Sequence, residues 1–229
     1  MNTPVWFYCD EVWRGPLAWP VTVCVTLPVS VPDTQQYIDS KQLTAQKRAI
    51  LFQQCNILTQ KKQLYYGIWT QSAQQIDNHW IIKALQTATL HAVFKVVRSF
   101  LLWAWYALPN ELPTRPSIKA TNTLLAMLQK ITSCSWLLID WNHTFGVDKL
   151  LTLPVDTLIK WDQRNHYIAM ASIIAKETRD AYMIKQAKRY PHYWFETNKW
   201  YGTATHRAAI KIHWLSKLHR QSFCRGIVG

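Results

Sequence analysis

The chain has 229 residues, 49% of them hydrophobic, and 26 Lys plus Arg stand against 13 Asp plus Glu for a formal net charge of +13. That apolar share excludes a disordered polymer and supplies the core of one substantial domain, with room for a small C-terminal addition. The cationic excess favours a polyanionic partner, because a dense positive surface gains free energy by releasing the counterions of phosphates.

In chain order, residues 5–10 read as a short buried strand that runs into Asp10 and Glu11. Over 21–27, Val21, Val23, Val25 and Leu27 alternate with Thr22, Cys24 and Thr26, the period-two pattern of a second strand. A helix is predicted over 44–58, behind the candidate caps Ser40 and Thr44, and a third strand over 63–70. A long apolar helix follows over 78–108. Lys95, Arg98 and Ser99 interrupt its most hydrophobic stretch, so a buried helix is expected there and not a membrane span. The segment 109–116 holds three prolines and reads as a loop. Trp136-Leu137-Leu138-Ile139-Asp140 is a continuous apolar run closing on an acid, as in a strand buried on both faces. A fifth strand is predicted over 157–160. A helix over 165–189 carries the stripe Ile168, Ala171, Ala175, Thr178 and Tyr182, and a basic helix over 205–218 carries Arg207, Lys211, His213 and Lys217. Three antiparallel-type strands followed by strand–helix–strand predict an α/β fold: a central mixed five-stranded sheet flanked by helices, with a C-terminal helical segment.

The acids are few, so their placement is informative. Asp10 and Glu11 end the first strand, Asp140 closes the fourth and Asp162 follows the fifth. Carboxylates ending neighbouring strands of an α/β sheet converge at its carboxyl edge, where such folds place their sites. Four carboxylates with no nearby His or Cys ligand suit hard divalent ions such as Mg2+ or Mn2+. Two such ions activate a water and stabilise the departing oxygen in phosphodiester cleavage. The five cysteines (Cys9, Cys24, Cys55, Cys134 and Cys224) are odd in number and widely spaced. Neither a disulfide framework nor a zinc site is expected, and a reducing cytoplasm suits them. Residues 1–4 lack the basic start of a secretory leader.

Local runs then point to a family. Asp10-Glu11-Val12-Trp13-Arg14-Gly15-Pro16-Leu17-Ala18-Trp19-Pro20-Val21 resembles the D-E-A-G-R-G-P-L-A-G-P-V signature of bacterial ribonuclease HII. Asp39-Ser40-Lys41-Gln42-Leu43 is similar to its D-S-K-K-L, Ile139-Asp140-Trp141 to V-D-G and Lys160-Trp161-Asp162 to K-G-D. The run from Ala171 to Asp180 resembles A-S-I-L-A-K-V-T-R-D, and Lys199-Trp200-Tyr201-Gly202-Thr203, His206 and His219-Arg220-Gln221-Ser222-Phe223 follow in family order. The resemblance spans residues 5 to 223. It implies a ribonuclease H-like catalytic domain over 1–203, with an insertion near 99–121, and a helical extension over 204–229. It implies an endonuclease that cuts the RNA strand of RNA–DNA hybrids, and also 5′ of single ribonucleotides in duplex DNA, leaving 5′-phosphomonoesters. Asp10, Glu11, Asp140 and Asp162 would be the metal-binding, catalytic carboxylates for Mn2+ or Mg2+. Trp13, Arg14 and Gly15 would form a loop that reads the 2′-hydroxyl at an RNA–DNA junction, with Tyr201 packing on the sugar; Ser40 and Lys41 would grip phosphate. A cytoplasmic monomer acting in DNA replication and ribonucleotide excision repair, away from membranes, is the expected setting. His206 and His219 are expected to contact phosphate or cap helices.

One departure is systematic. Trp13, Trp19, Trp141, Trp161, Trp194, Trp200 and Trp214 stand where the family pattern has Gly, in a chain with 13 Trp and only 6 Gly. Ordinary usage would give roughly 16 Gly at this length. The pattern predicts that the source reads UGA as glycine, so that the natural protein carries Gly where the standard code gives Trp. Were the tryptophans real, the alternative would be a relative that binds hybrids without cutting them.

Overall fold

The computed structural model describes residues 4–12, 14–104, 112–158 and 165–228. Its strands are β1 Val5–Val12, β2 Val21–Pro28, β3 Leu64–Gln71, β4 Ser135–Ile139 and β5 Val155–Thr157. They form one five-stranded sheet in the order β3-β2-β1-β4-β5. β1 to β3 make an antiparallel meander, while β4 is parallel to β1 and β5 parallel to β4. The mixed sheet read from the sequence is present; its edge strand is described over 155–157, two residues before the expected start at 157, and residues 159–160 of the expected strand lie outside the described residues.

Alternation along the strands builds a core on each face. Phe7, Cys9, Val21, Val23 and Val25 pack with α2 Ala73–Trp103 and α3 Ile118–Gln129. Val12 and Cys24 point the other way, toward α1 Ala45–Gln60 and α4 His166–Ala187. Buried Ala169, Ala171, Ser172 and Ala175 let α4 lie close to the sheet. On the opposite face α2 comes closer still: a β-carbon at Gly67 would stand 2.1 Å from the Ala92 carbonyl oxygen, so β3 has room there only for glycine.

Helix α3 begins where the sequence suggested the end of an insertion. Its buried Thr121, Leu124, Leu125 and Leu128 make the i, i+3, i+4, i+7 stripe of a surface helix, and the Ser117 side chain accepts the Ala120 N–H as its cap. Three short helices complete the chain: α5 Phe195–Asn198, α6 Ala204–His213 and α7 Gln221–Val228. Together with Leu17, Ala18, Trp19 and the end of α4 they enclose a third core around Phe195, Trp200, Ile210 and Cys224. The basic helix expected over 205–218 stops at His213 because Trp214 leaves helical space with φ 63 and ψ −167. All five cysteines are free, and only Cys134 is exposed. Among the described residues no helix is long and apolar enough to cross a membrane.

Candidate active site

Strands β1 and β4 lie side by side with Cys9 opposite Ile139, and the Asp140 N–H donates to the Cys9 carbonyl at 3.0 Å. Asp10 and Asp140, the next residues along the two chains, are therefore neighbours: Asp140 directly follows β4, while β1 runs on past Asp10 and Glu11 to Val12, two residues beyond the Asp10 end expected from the sequence. Both are nearly enclosed, 7% and 9% exposed. The Asp10 Oδ1 accepts the Glu11 N–H at 2.8 Å. Burial, then the charge of Asp10 and more weakly that of Asp140, raises the Glu11 carboxyl pKa well above the ordinary range; a backbone hydrogen bond and Arg14 oppose the shift. Glu11 Oε2 is buried and has no hydrogen-bond partner among the described residues. A buried carboxylate oxygen left unpaired is costly, and a cation would relieve it.

All-oxygen donors suit a hard divalent ion, and the orphaned Glu11 oxygen fits that use. No three His, Cys, Asp or Glu side chains among the described residues gather tightly enough to enclose an ion. Asp162, the remaining expected ligand, lies outside the described residues, as does Trp13.

Asp10 and Glu11 face a cleft of about 480 Å3 whose walls also carry Ser40, Lys41, Arg48, Lys176, Lys199 and Tyr201. Carboxylates set among four cationic side chains make a site for a phosphate polymer, with the acids where a metal-assisted reaction would occur. A second cavity of about 350 Å3, behind Trp19, Arg179 and Tyr182, has no carboxylate in its lining. The chemistry therefore belongs to the first.

The cleft walls are tied together. Arg48 Nε donates to Glu177 Oε1 at 2.6 Å, and its Nη1 donates to the Ser40 and Leu43 carbonyls at 3.3 Å, fastening the 40–43 turn to α4. Ser40 Oγ lies 2.9 Å from Ser172 Oγ, so the buried hydroxyl is engaged with α4 while Lys41 stands exposed at the rim. Lys176 donates to Asp180 Oδ2 at 3.2 Å, and burial lowers its pKa. Lys176, Lys199 and Arg48 had no assigned role in the sequence. The first two sit inside recognisable runs, but only folding brings α4 and the 199–201 segment to the walls of the cleft that the acids face.

Beyond the cleft, the Arg14 guanidinium lies 4.0 Å from the centre of the Trp141 ring, and its Nη1 is buried without a hydrogen-bond partner among the described residues. A β-carbon at Gly15 would touch the Tyr201 ring at 3.9 Å, so the half-exposed Tyr201 stands over the Arg14–Gly15 turn. Asp10, Glu11, Ser40, Lys41 and Tyr201 thus share one cleft, with Asp140 beside Asp10 and with Arg14 and Gly15 next to Tyr201. His206 and His219 are buried, and their Nε2 atoms lie 3.0 Å apart. They bond to each other, where phosphate contact or helix capping was expected.

This strand order, with acids on β1 and directly after β4 beside a cationic cleft, defines the ribonuclease H-like class. The sequence model of the Ribonuclease HII family matches residues 124–226. Ribonuclease HII of Thermosynechococcus vestitus is 32% identical over 224 residues, covering 96% of this chain and 83% of that protein. Among solved structures, ribonuclease H2 from Pyrococcus horikoshii superposes with a TM-score of 0.63 at 19% identity, over 98% of this chain and 97% of the other. Bst ribonuclease HIII, solved in complex with Mn2+, superposes with a TM-score of 0.53 at 13% identity, over 99% of this chain and 71% of the other. The chain belongs to the ribonuclease HII family.

Proposed function

We propose that the protein is an endonuclease that hydrolyses the RNA strand of RNA–DNA hybrids and incises 5′ of single ribonucleotides in duplex DNA, leaving 5′-phosphomonoesters. The observation that carries this reading is the side-by-side placement of Asp10, inside β1, and Asp140, directly after the parallel strand β4, beside the unpartnered Glu11 oxygen. Asp10, Glu11, Asp140 and Asp162 would hold Mn2+ or Mg2+, and such ions supply water activation and stabilisation of the leaving oxygen when bound.

The chain's own contribution is to bind and orient. Lys41 and Lys199 offer ammonium charges to phosphates, while Ser40 fixes the Lys41 turn to α4 through Ser172. Arg14, Gly15 and position 13 meet the junction together with Tyr201, whose exposed ring suits a sugar face. Only a 2′-hydroxyl, both donor and acceptor, separates RNA from DNA there. In this reading residues 1–203 form the catalytic domain, 204–229 form an extension, and a cytoplasmic monomer serves replication and repair. The carboxylates Asp10, Glu11 and Asp140, kept together at one edge, argue against a hybrid-binding relative without activity.

Asp140→Asn is expected to abolish hybrid cleavage while salt-sensitive hybrid binding, which rests on Lys and Arg, persists. Full cleavage by that variant, or by the parent in EDTA, would overturn the assignment.

A further inference from the structure

The ten tryptophans among the described residues fall into two groups by backbone alone. Nine non-glycine residues among those described have positive φ, and five of the nine are tryptophans: Trp19 (φ 107), Trp80 (65), Trp194 (55), Trp200 (71) and Trp214 (63). Bulky residues avoid that region. Trp80 and Trp214, with ψ of 156 and −167, occupy the part of it that essentially only glycine enters. The side chains are strained as well. Trp19 and Trp200 are fully buried, and their indole N–H groups have no hydrogen-bond partner among the described residues. The Trp200 ring centre lies 3.2 Å from that of Phe195, tighter than carbon atoms ordinarily pack. Trp6, Trp69, Trp103, Trp136 and Trp141 show no positive φ.

We propose that residues 19, 80, 194, 200 and 214 are glycines in the protein its source makes, read from a codon that the standard code gives as tryptophan. Trp80 joins the set on backbone grounds alone, and the five tryptophans of ordinary backbone carry no such mark. Peptide mass spectrometry on protein isolated from its source decides the matter. Each of the five peptides is expected to be lighter by the difference between an indolylmethyl group and a hydrogen; tryptophan at these positions overturns the proposal. A second measurement needs no source material. Removing a buried indole normally destabilises a protein, yet replacing all five by glycine is expected to raise the thermal midpoint of the recombinant chain. A lower midpoint counts against the proposal.

A separate observation concerns what holds Arg14 and Tyr201. His219 Nδ1 accepts the Ser216 N–H at 2.9 Å, so its proton is on Nε2 and is donated to His206 Nε2 at 3.0 Å. His206 then carries its own proton on Nδ1 and donates it to the Tyr201 carbonyl at 2.8 Å. The next residue, Arg220, is fully buried and donates from Nε to the Trp19 carbonyl and from Nη1 to the Arg14 carbonyl, both at 2.7 Å. Two consecutive residues of the C-terminal segment thus grip the backbone on both sides of the junction-reading surface. We infer that His219, through His206, and Arg220 are positioning residues that set the spacing between the Arg14 turn and Tyr201. This inference rests on the substrate reading proposed above.

The test compares a duplex holding one ribonucleotide with a continuous hybrid, using the form of the chain its source makes. His206→Leu and Arg220→Lys are expected to lower kcat/KM on the single ribonucleotide about tenfold more than on the hybrid, since small displacements of positioning groups are costly. His206→Asn, whose amide N–H can stand where Nδ1 stood, is expected to restore most of the loss. Equal losses on both substrates, or no advantage of Asn over Leu, overturn the inference. Tyr201→Ala runs in parallel. If it spares the single ribonucleotide, the substrate reading itself fails; if it does not and His206→Leu still shows no preference, only the positioning role fails.

Discussion

Trp6 on β1 and Trp136 on β4 stack across the sheet with ring centres 5.7 Å apart, both on extended backbone. In the C-terminal unit Trp194, Trp200 and Trp214 sit on left-handed backbone, and Trp200 is pressed to 3.2 Å against Phe195. A pleated strand stands its side chains clear of the backbone, so a large ring finds room on either face. The turns between short helices need positive φ to end one helix and start the next, and there any β-carbon is a burden. A residue's size matters less than the dihedrals its position demands.

Several variants would break or sharpen that contrast. The largest loss is expected in the sheet, where Gly67→Ala puts a methyl group 2.1 Å from the Ala92 oxygen. Helix α2 must then shift, at about 3 kcal/mol, the upper end for overpacking; urea unfolding that moves by less than a third of this would show the α2–β3 contact to be soft. In the C-terminal unit the sensitivity is to pH. Burial, followed by His206, lowers the His219 pKa from 6.5 to about 3. A depressed folded-state pKa means the unfolded chain binds the extra proton between those values, so this stability is complete above pH 6.5 and is lost as pH falls toward 3. From pH 7.5 to 5 the loss from this residue is on the order of 2 kcal/mol, and His219→Gln should flatten the stability–pH slope; an unchanged slope would discount the pair. The smallest effect lies at the seam between the two regions. The Asp77 carboxylate on α2 accepts the Gln221 and Ser222 N–H groups at 2.8 and 2.9 Å, capping α7 from a distant part of the chain. Asp77→Ala is expected to cost about 1 kcal/mol, as other lost N-caps do, and to raise amide exchange in α7 before that of the sheet; uniform exchange would refute a local seam.

Legibility in the sequence followed the range of the forces involved. β1, β2 and β4 were readable because period-two alternation and continuous apolar runs are local. The start of β5 lies two residues before the one its pattern suggests, because an edge strand this short is fixed by its neighbour, through the Leu137 N–H to Pro154 carbonyl bond, and not by its own pattern. Helix α3 did carry a clear stripe, which the insertion reading hid. Helix α7 falls inside the C-terminal helical segment read from the sequence, but its cap does not, since Asp77 supplies it from across the fold. At the site, the acids were visible from strand ends and motifs, and the structure puts Asp10, Glu11 and Asp140 at one edge. The cationic wall of Lys176 and Lys199 and the His206–His219 link were not visible, because each depends on elements brought together only by packing.

The central claim is most directly tested on a labelled DNA duplex containing one ribonucleotide, incubated with Mn2+ and the chain carrying glycine at residues 19, 80, 194, 200 and 214 and also at 13, 141 and 161, where the family pattern has glycine. The account predicts a single incision on the 5′ side of the ribonucleotide that leaves a 5′-phosphate and is lost with Asp140→Asn. Binding of the duplex with no incision, or incision that survives Asp140→Asn, would contradict it.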